Sequence, residues 1–188
     1  MIGWNEDIKK QFKYCGKNVF IGNNTMFAFP QEVHIEDNVR IDPFCWITSR
    51  LTIRSNVQIT SHAVIEGGLS HHVEFGNWTT LGYGSKLLCG SEDYSGDFGP
   101  VNTWGKNKIF SGDIHLSDYS VVASDVIVMP GVIIPIGCAI GAKSFVYTRN
   151  ILEEWSIFIG NPLKLHKKRN KENICSLSND PSFLKIQQ

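Results

Sequence analysis

The sequence predicts a mainly β protein wound as a solenoid, and three observations carry that expectation. Aliphatic side chains stand at Ile35, Ile41, Ile47, Ile53, Ile59 and Ile65, each six residues after the last. That period fits neither the 3.6 of a helix nor the plain alternation of a strand, but it suits a short strand plus a turn repeated in register. The series resumes at Phe75, Leu81 and Leu87, and again at Leu116, Val122, Val128, Ile134, Ile140 and Val146. The residue after such a position is often small or polar, as at Gly22, Glu36, Asp42, Gly76, Gly82, Ala123 and Gly141, which a tight corner requires. If three such faces close one coil, Ile35 and Ile53, and then Leu116 and Ile134, become inward ladders that only stacking can bury. Each enclosed Ile or Val then contributes roughly 1.5 to 3 kcal/mol before entropy.

Composition narrows the class further. The 188 residues suit one domain, and 42% hydrophobic content with zero formal net charge excludes a disordered chain and a basic nucleic-acid binder. No stretch approaches the ~18 apolar residues of a membrane span, and MIGWNEDIKK lacks the order of a secretory signal, so a cytoplasmic protein is expected. The five cysteines are odd in number and contain no C-x-x-C pair, which reads as reduced packing residues.

Three segments follow along the chain. Residues 1–18 predict an N-terminal cap with Trp4, Ile8 and Phe12 on one helical face. Residues 19–150 predict the solenoid, interrupted twice: ten residues separate Ile65 from Phe75, so EGGLSHH must bulge, and a long loop occupies 88–115. Residues 151–188 predict a C-terminal cap running into a basic segment, with 171–188 a weakly structured tail.

The run VVASDVIVMPGVIIPIGCAIGAKSFVYTRNI, followed by IGNPLKLHKKR, resembles the hexapeptide-repeat acyltransferases, and most of all their galactoside and maltose O-acetyltransferase-like branch. The resemblance covers about residues 19–169 and implies a left-handed parallel β-helix, against the usual right-handed crossover. It implies transfer of acetyl from acetyl-CoA to a hydroxyl of a sugar or polysaccharide precursor, by a homotrimer with sites between subunits. It places the pantetheine arm along Ala123, Ser124, Gly141 and Ala142, the adenine end at Tyr147 and Thr148, and the nucleotide phosphates at Lys164 and Lys167.

One departure from that branch bears on the chemistry. Where those enzymes hold a catalytic His before the long loop, this chain has Glu92 with Asp93 beside it. A carboxylate raised toward neutral pKa by burial could serve as base. The alternative bases are His62 and the bulge pair His71 and His72, with His115 a lesser candidate. A third solution is a nucleotide-linked amino sugar as acceptor, because a neutral amine needs less help than a hydroxyl. Six histidines without paired ligand spacing predict no metal site, and a non-catalytic solenoid binding module is the remaining rival.

Overall fold

The computed structural model describes residues 4–92 and 109–178, and these wind as a left-handed parallel β-solenoid of three faces. The first face stacks Val19–Ile21, Val39–Ile41, Gln58–Ile59, Thr80–Leu81, Val121–Val122, Ala139–Ile140 and Ser156–Ile159 in parallel. The second carries Met26–Phe27, Lys86–Leu88, Ile127–Val128 and Phe145–Val146; the third carries Tyr14–Cys15, Val33–Ile35, Ile114–Leu116 and Ile133–Ile134. Two long strands, Trp46–Ile53 and Val64–Phe75, run from the second face onto the third and merge both into one ten-stranded sheet.

Every hexad aliphatic from Ile35 to Val146 points inward, with at most 1% of its surface exposed. The third-face ladder reads Ile35, Ile53, Phe75, Leu116, Ile134 from coil to coil. A second inward set lies two residues ahead of each hexad position and includes Val39, Cys45, Val57, Ala63, Thr79, Ser85, Ser120, Val126, Cys138 and Ser144, all buried. Strand alternation demands this set, but its Ser, Thr and Cys members hide it in a hydrophobicity count. Apart from Ser120, their hydroxyls bond to corner backbone: Ser85 Oγ donates to the Ala123 carbonyl at 2.6 Å and Ser144 Oγ to that of Gly141 at 2.6 Å.

The corners need left-handed backbone, and Asn supplies it at Asn18, Asn38 and Asn56 on the edge between the third face and the next coil. Their side-chain amides form a ladder, 3.0 Å from Asn18 to Asn38 and 3.2 Å from Asn38 to Asn56. Lower on the same edge the left-handed positions pass to Trp78, Tyr119, Gly137 and Trp155.

At the upper end the first helix, Glu6–Lys9, is one turn long; Trp4 tilts over Phe20 at 5.5 Å and Phe12 meets Phe27 edge-on at 4.9 Å. At the lower end Lys164–Lys168 folds back antiparallel on Ser156–Ile159. The expectation of a weakly structured tail fails at Lys171–Ser178, which is helical. Asn170 caps it by accepting from the Asn173 N–H at 3.0 Å, a start signal overlooked in the run of lysines. Arg169 fixes its approach, with Nη1 donating to the Tyr119 carbonyl at 2.8 Å and the Gly137 carbonyl at 2.7 Å. Among the described residues no helix is long and apolar enough to cross a membrane.

Candidate active site

The edge between the second and third faces differs from the other two because both long insertions leave from it. Small residues let the coils approach closely here. A Cβ on Gly67 would stand 2.5 Å from Ser49 Oγ and 3.2 Å from Cys89 Sγ, and one on Gly112 would stand 2.8 Å from the Gly131 Cα. The long loop does not leave as a simple loop: Gly90–Glu92 pairs antiparallel with Ile109–Ser111, so its root is a two-stranded ribbon. The return is pinned where the Gly112 N–H donates to the Cys89 carbonyl at 3.0 Å.

Below the ribbon a groove of about 460 Å³ runs down the edge, walled by Phe110, Met129, Pro130, Tyr147, Thr148 and Arg149. It continues into a smaller hollow of about 210 Å³ beside Ile133, Asn150 and Leu152. The Arg149 guanidinium lies 4.5 Å over the Tyr147 ring. Such a channel, apolar-walled with one cation at its rim, suits a long ligand carrying negative charge.

Above the ribbon, the bulge 67–72 brings titratable groups together on the third face. His72 Nε2 stands 2.9 Å from Thr52 Oγ1, and the His72 N–H donates to Asp113 Oδ1 at 2.9 Å. His71 Nδ1 is 3.3 Å from the same oxygen. His115 Nδ1 lies 3.5 Å from Glu74, whose other oxygen receives Arg54. Burial holds the His72 pKa below the ordinary imidazole value, outweighing Glu74 and Asp113. The backbone N–H of His72 holds the Asp113 carboxyl below the ordinary carboxylate range.

The expected site residues divide between edges. Tyr147 and Thr148 line the groove. Glu92 ends the outgoing ribbon strand opposite Ile109, and Asp93 lies outside the described residues. Ala123, Ser124, Gly141 and Ala142 belong to the edge between the first and second faces, where Gly82 sits against Ala123 and Ser124. His62 shares that edge, exposed and stacked on Phe44 with ring centroids 5.5 Å apart and planes 8° apart. Within one chain His62 and His72 therefore stand on different edges. Lys164 and Lys167 are exposed on the terminal strand, and no ion pair forms on either among the described residues. Sequence reasoning missed Asp113, Phe110 and Arg149. Of these, Asp113 had a local signal, a carboxylate flanked by Gly112 and the inward Ile114.

A left-handed hexapeptide solenoid with a grooved, twice-interrupted edge is the fold expected of the hexapeptide-repeat acyltransferases. No family model matches the chain. Solved structures do: a serine-to-cysteine mutant of AntD, an N-acyltransferase from Bacillus cereus, in complex with dTDP-4-amino-4,6-dideoxyglucose and coenzyme A, is 30% identical over 98% of both chains with a TM-score of 0.86. The same protein has been solved with dTDP and 3-hydroxybutyryl-CoA, at a TM-score of 0.83. The dTDP-4-amino-4,6-dideoxy-D-glucose acyltransferase of Escherichia coli is 28% identical over 166 residues, 86% of this chain and 84% of that protein. A hexapeptide-repeat acetyltransferase from Vibrio cholerae, at 14% identity and a TM-score of 0.59 over 87% of this chain and 75% of that one, shares the fold alone.

The chain belongs to the hexapeptide-repeat acyltransferases, in the branch of the AntD-like N-acyltransferases. This corrects the expected galactoside and maltose branch and, with it, the expected O-acetyl transfer to a hydroxyl. The motifs that suggested that branch, P-G-V, I-G-A-x-S-x-V and G-N-P, form corners and the terminal hairpin, which serve the coil whatever the acceptor. The absent His was the better signal.

Proposed function

We propose that this protein transfers an acyl group from an acyl-CoA thioester to the amine of a dTDP-linked amino sugar, the alternative acceptor raised by the missing histidine. The carrying observation is the 30% identity over 98% of both chains to AntD solved with dTDP-4-amino-4,6-dideoxyglucose and CoA. In this reaction the neutral amine attacks the thioester carbonyl carbon, a C–N bond forms and the C–S bond breaks. The proton that nitrogen loses balances the one the CoA sulfur gains. A rigid groove aligns the two substrates and removes much of the entropic barrier.

The groove below the ribbon takes the CoA end, with Tyr147 and Thr148 at its adenine and Arg149 within reach of its phosphates. Ala123, Ser124, Gly141 and Ala142 receive the pantetheine arm, and Lys164 and Lys167 the nucleotide phosphates. Those sets occupy different edges of one chain, so this reading puts the site between subunits, one subunit's edge facing the next, as in the expected homotrimer. Acetyl-CoA is the first donor to test, with 3-hydroxybutyryl-CoA beside it. His72, whose pKa burial holds below the ordinary imidazole value, is the leading acceptor of the amine proton. Glu92, Asp93 and His62 are the competing bases. A nucleotide-linked product suits polysaccharide precursor synthesis in the cytoplasm.

The test is thiol release from acetyl-CoA and 3-hydroxybutyryl-CoA with dTDP-4-amino-4,6-dideoxyglucose as acceptor and free galactose and maltose as controls. Turnover with the amino sugar and none with the free sugars is the expected result. No thiol release with either donor, together with no CoA binding by calorimetry, overturns it.

A further inference from the structure

The two insertions that leave the grooved edge belong to successive coils, and one carboxylate joins them. Asp113 ends the long excursion, just before Ile114–Leu116, and its Oδ1 accepts from the His72 N–H at 2.9 Å with His71 Nδ1 at 3.3 Å. On the other side, Gly112 is bonded to the Cys89 carbonyl and packed against Gly131. The bulge is also paired along one side with Trp46–Ile53, and Ser49 Oγ donates to the His71 carbonyl at 3.2 Å, but its tip is open: Gly68 is left-handed with open space around it, and Leu69 is 54% exposed. The register with the coil above slips on both sides of Ser49, where the bulge begins and ends. With the tip open, the bond to Asp113 is the tie that reaches the bulge from the coil below at its His71–His72 end.

We propose that Asp113 is a positioning residue: its carboxylate ties the bulge 67–72 to the return of the long excursion and so fixes where the His72 ring sits on the grooved edge. Its charge acts as well as its geometry. Around His72 stand Arg50 and Thr52 from the strand above, Glu74 on its own strand, and Asp113 and His115 from the strand below, with His71 adjacent in sequence. Glu74 and Asp113 favour the imidazolium; Arg50 and His115 oppose it. Removing the Asp113 charge therefore lowers the pH at which His72 takes up a proton. The structural claim stands independently, and only its kinetic consequence rests on the acyl-transfer reading.

Two variants separate the bond from the charge. Asp113→Asn keeps an oxygen acceptor for the His72 N–H and loses the charge; Asp113→Ala loses both. Hydrogen exchange over residues 67–72 should accelerate by about tenfold in Asp113→Ala and stay closer to the parent in Asp113→Asn. The His72 ring, followed in 13C-histidine spectra and assigned with His72→Asn, should titrate at lower pH in both. With the amino-sugar acceptor, kcat/KM should fall about tenfold in Asp113→Ala and about threefold or less in Asp113→Asn at pH 8. The acid limb of the Asn variant should move to lower pH. Unchanged exchange in Asp113→Ala, or an unchanged His72 titration in both variants, overturns the proposal. A parent enzyme inactive with every acyl-CoA tried would remove the acyl-transfer reading while the exchange and titration measurements still decide the role of Asp113.

Discussion

Two edges of the same prism are built on opposite principles. On the edge joining the third face to the next coil, the chain seals itself: an Asn ladder runs down the upper coils, and below it Arg169 and the helix Lys171–Ser178 close over Tyr119 and Trp155. Tyr119 Oη reaches Ser178 Oγ at 3.1 Å, and Lys171 Nζ lies 5.5 Å from the Trp155 ring. On the edge between the second and third faces, glycines replace those side chains, both insertions depart, and a groove stays open. The coil is common to both edges. The contrast shows that a solenoid can place its variation on one line of corners while the remaining faces keep a fixed inward pattern.

The largest effect should come from breaking what the two edges share. Ile134→Asp places a carboxylate in the third-face ladder with no partner, and should cost more than about 4 kcal/mol in urea unfolding. If the loss stayed under about 1 kcal/mol, the inward ladder would be wrong.

Next, the sealed edge: Arg169→Ala leaves the Tyr119 and Gly137 carbonyls without their charged donor and frees the terminal helix. A loss of about 2 kcal/mol is expected, with faster exchange at 171–178 and little change in kcat. A fall in kcat with exchange at 171–178 unchanged would place function on the wrong edge.

The grooved edge should respond in the reverse sense. Gly112→Ala puts a methyl against Gly131, displaces the ribbon and should reduce kcat/KM about tenfold with only a small shift in Tm. Gly90→Ala, where nothing lies within 4 Å, is the matched control and should behave as the parent. Equal behaviour of the two would remove the close approach at Gly112 from the account.

The smallest effect is one of pH. His72 has a folded pKa below the ordinary 6.5, so the unfolded chain binds the proton more readily, and stability contributed by neutral His72 is lost as pH falls through 6.5 toward the folded value. Asp113, with its folded pKa below 3.8, contributes stability present above 3.8 and lost as pH falls through its folded value. Both act in the same direction. Relative to intrinsic amide rates at each pH, protection over 67–72 should fall on going from pH 7.5 to pH 5.5 while protection at 171–178 stays level; a uniform fall would sink the distinction between edges.

The sequence made the coil legible because Ile and Val at a six-residue period have no other economical explanation. The second inward set was not legible, since Ser85, Ser120, Thr79 and Ser144 are polar by composition and buried by position. Ser120 Oγ has no partner among the described residues, which no count of hydrophobicity could reveal. Of the expected site residues Tyr147 and Thr148 line the groove, whereas the contact of Asp113 with His72 could not be read in the sequence, because only coiling brings position 113 beside position 72. The motifs P-G-V, I-G-A-x-S-x-V and G-N-P build corners and the terminal hairpin of this coil, whereas the replaced histidine is the feature that departs from the galactoside and maltose branch.

The inward thiols have a practical consequence for assaying this protein. Cys45, Cys89 and Cys138 are buried, and burial pushes their thiols up to about 11, 12 and 12. A chromogenic disulfide reagent, which reacts with thiolate, should thus see at most Cys15 and Cys175 in the native fold. Continuous spectrophotometric recording of liberated CoA therefore begins from a low protein baseline, and a slow upward creep in that baseline would report coils coming apart before turnover is lost.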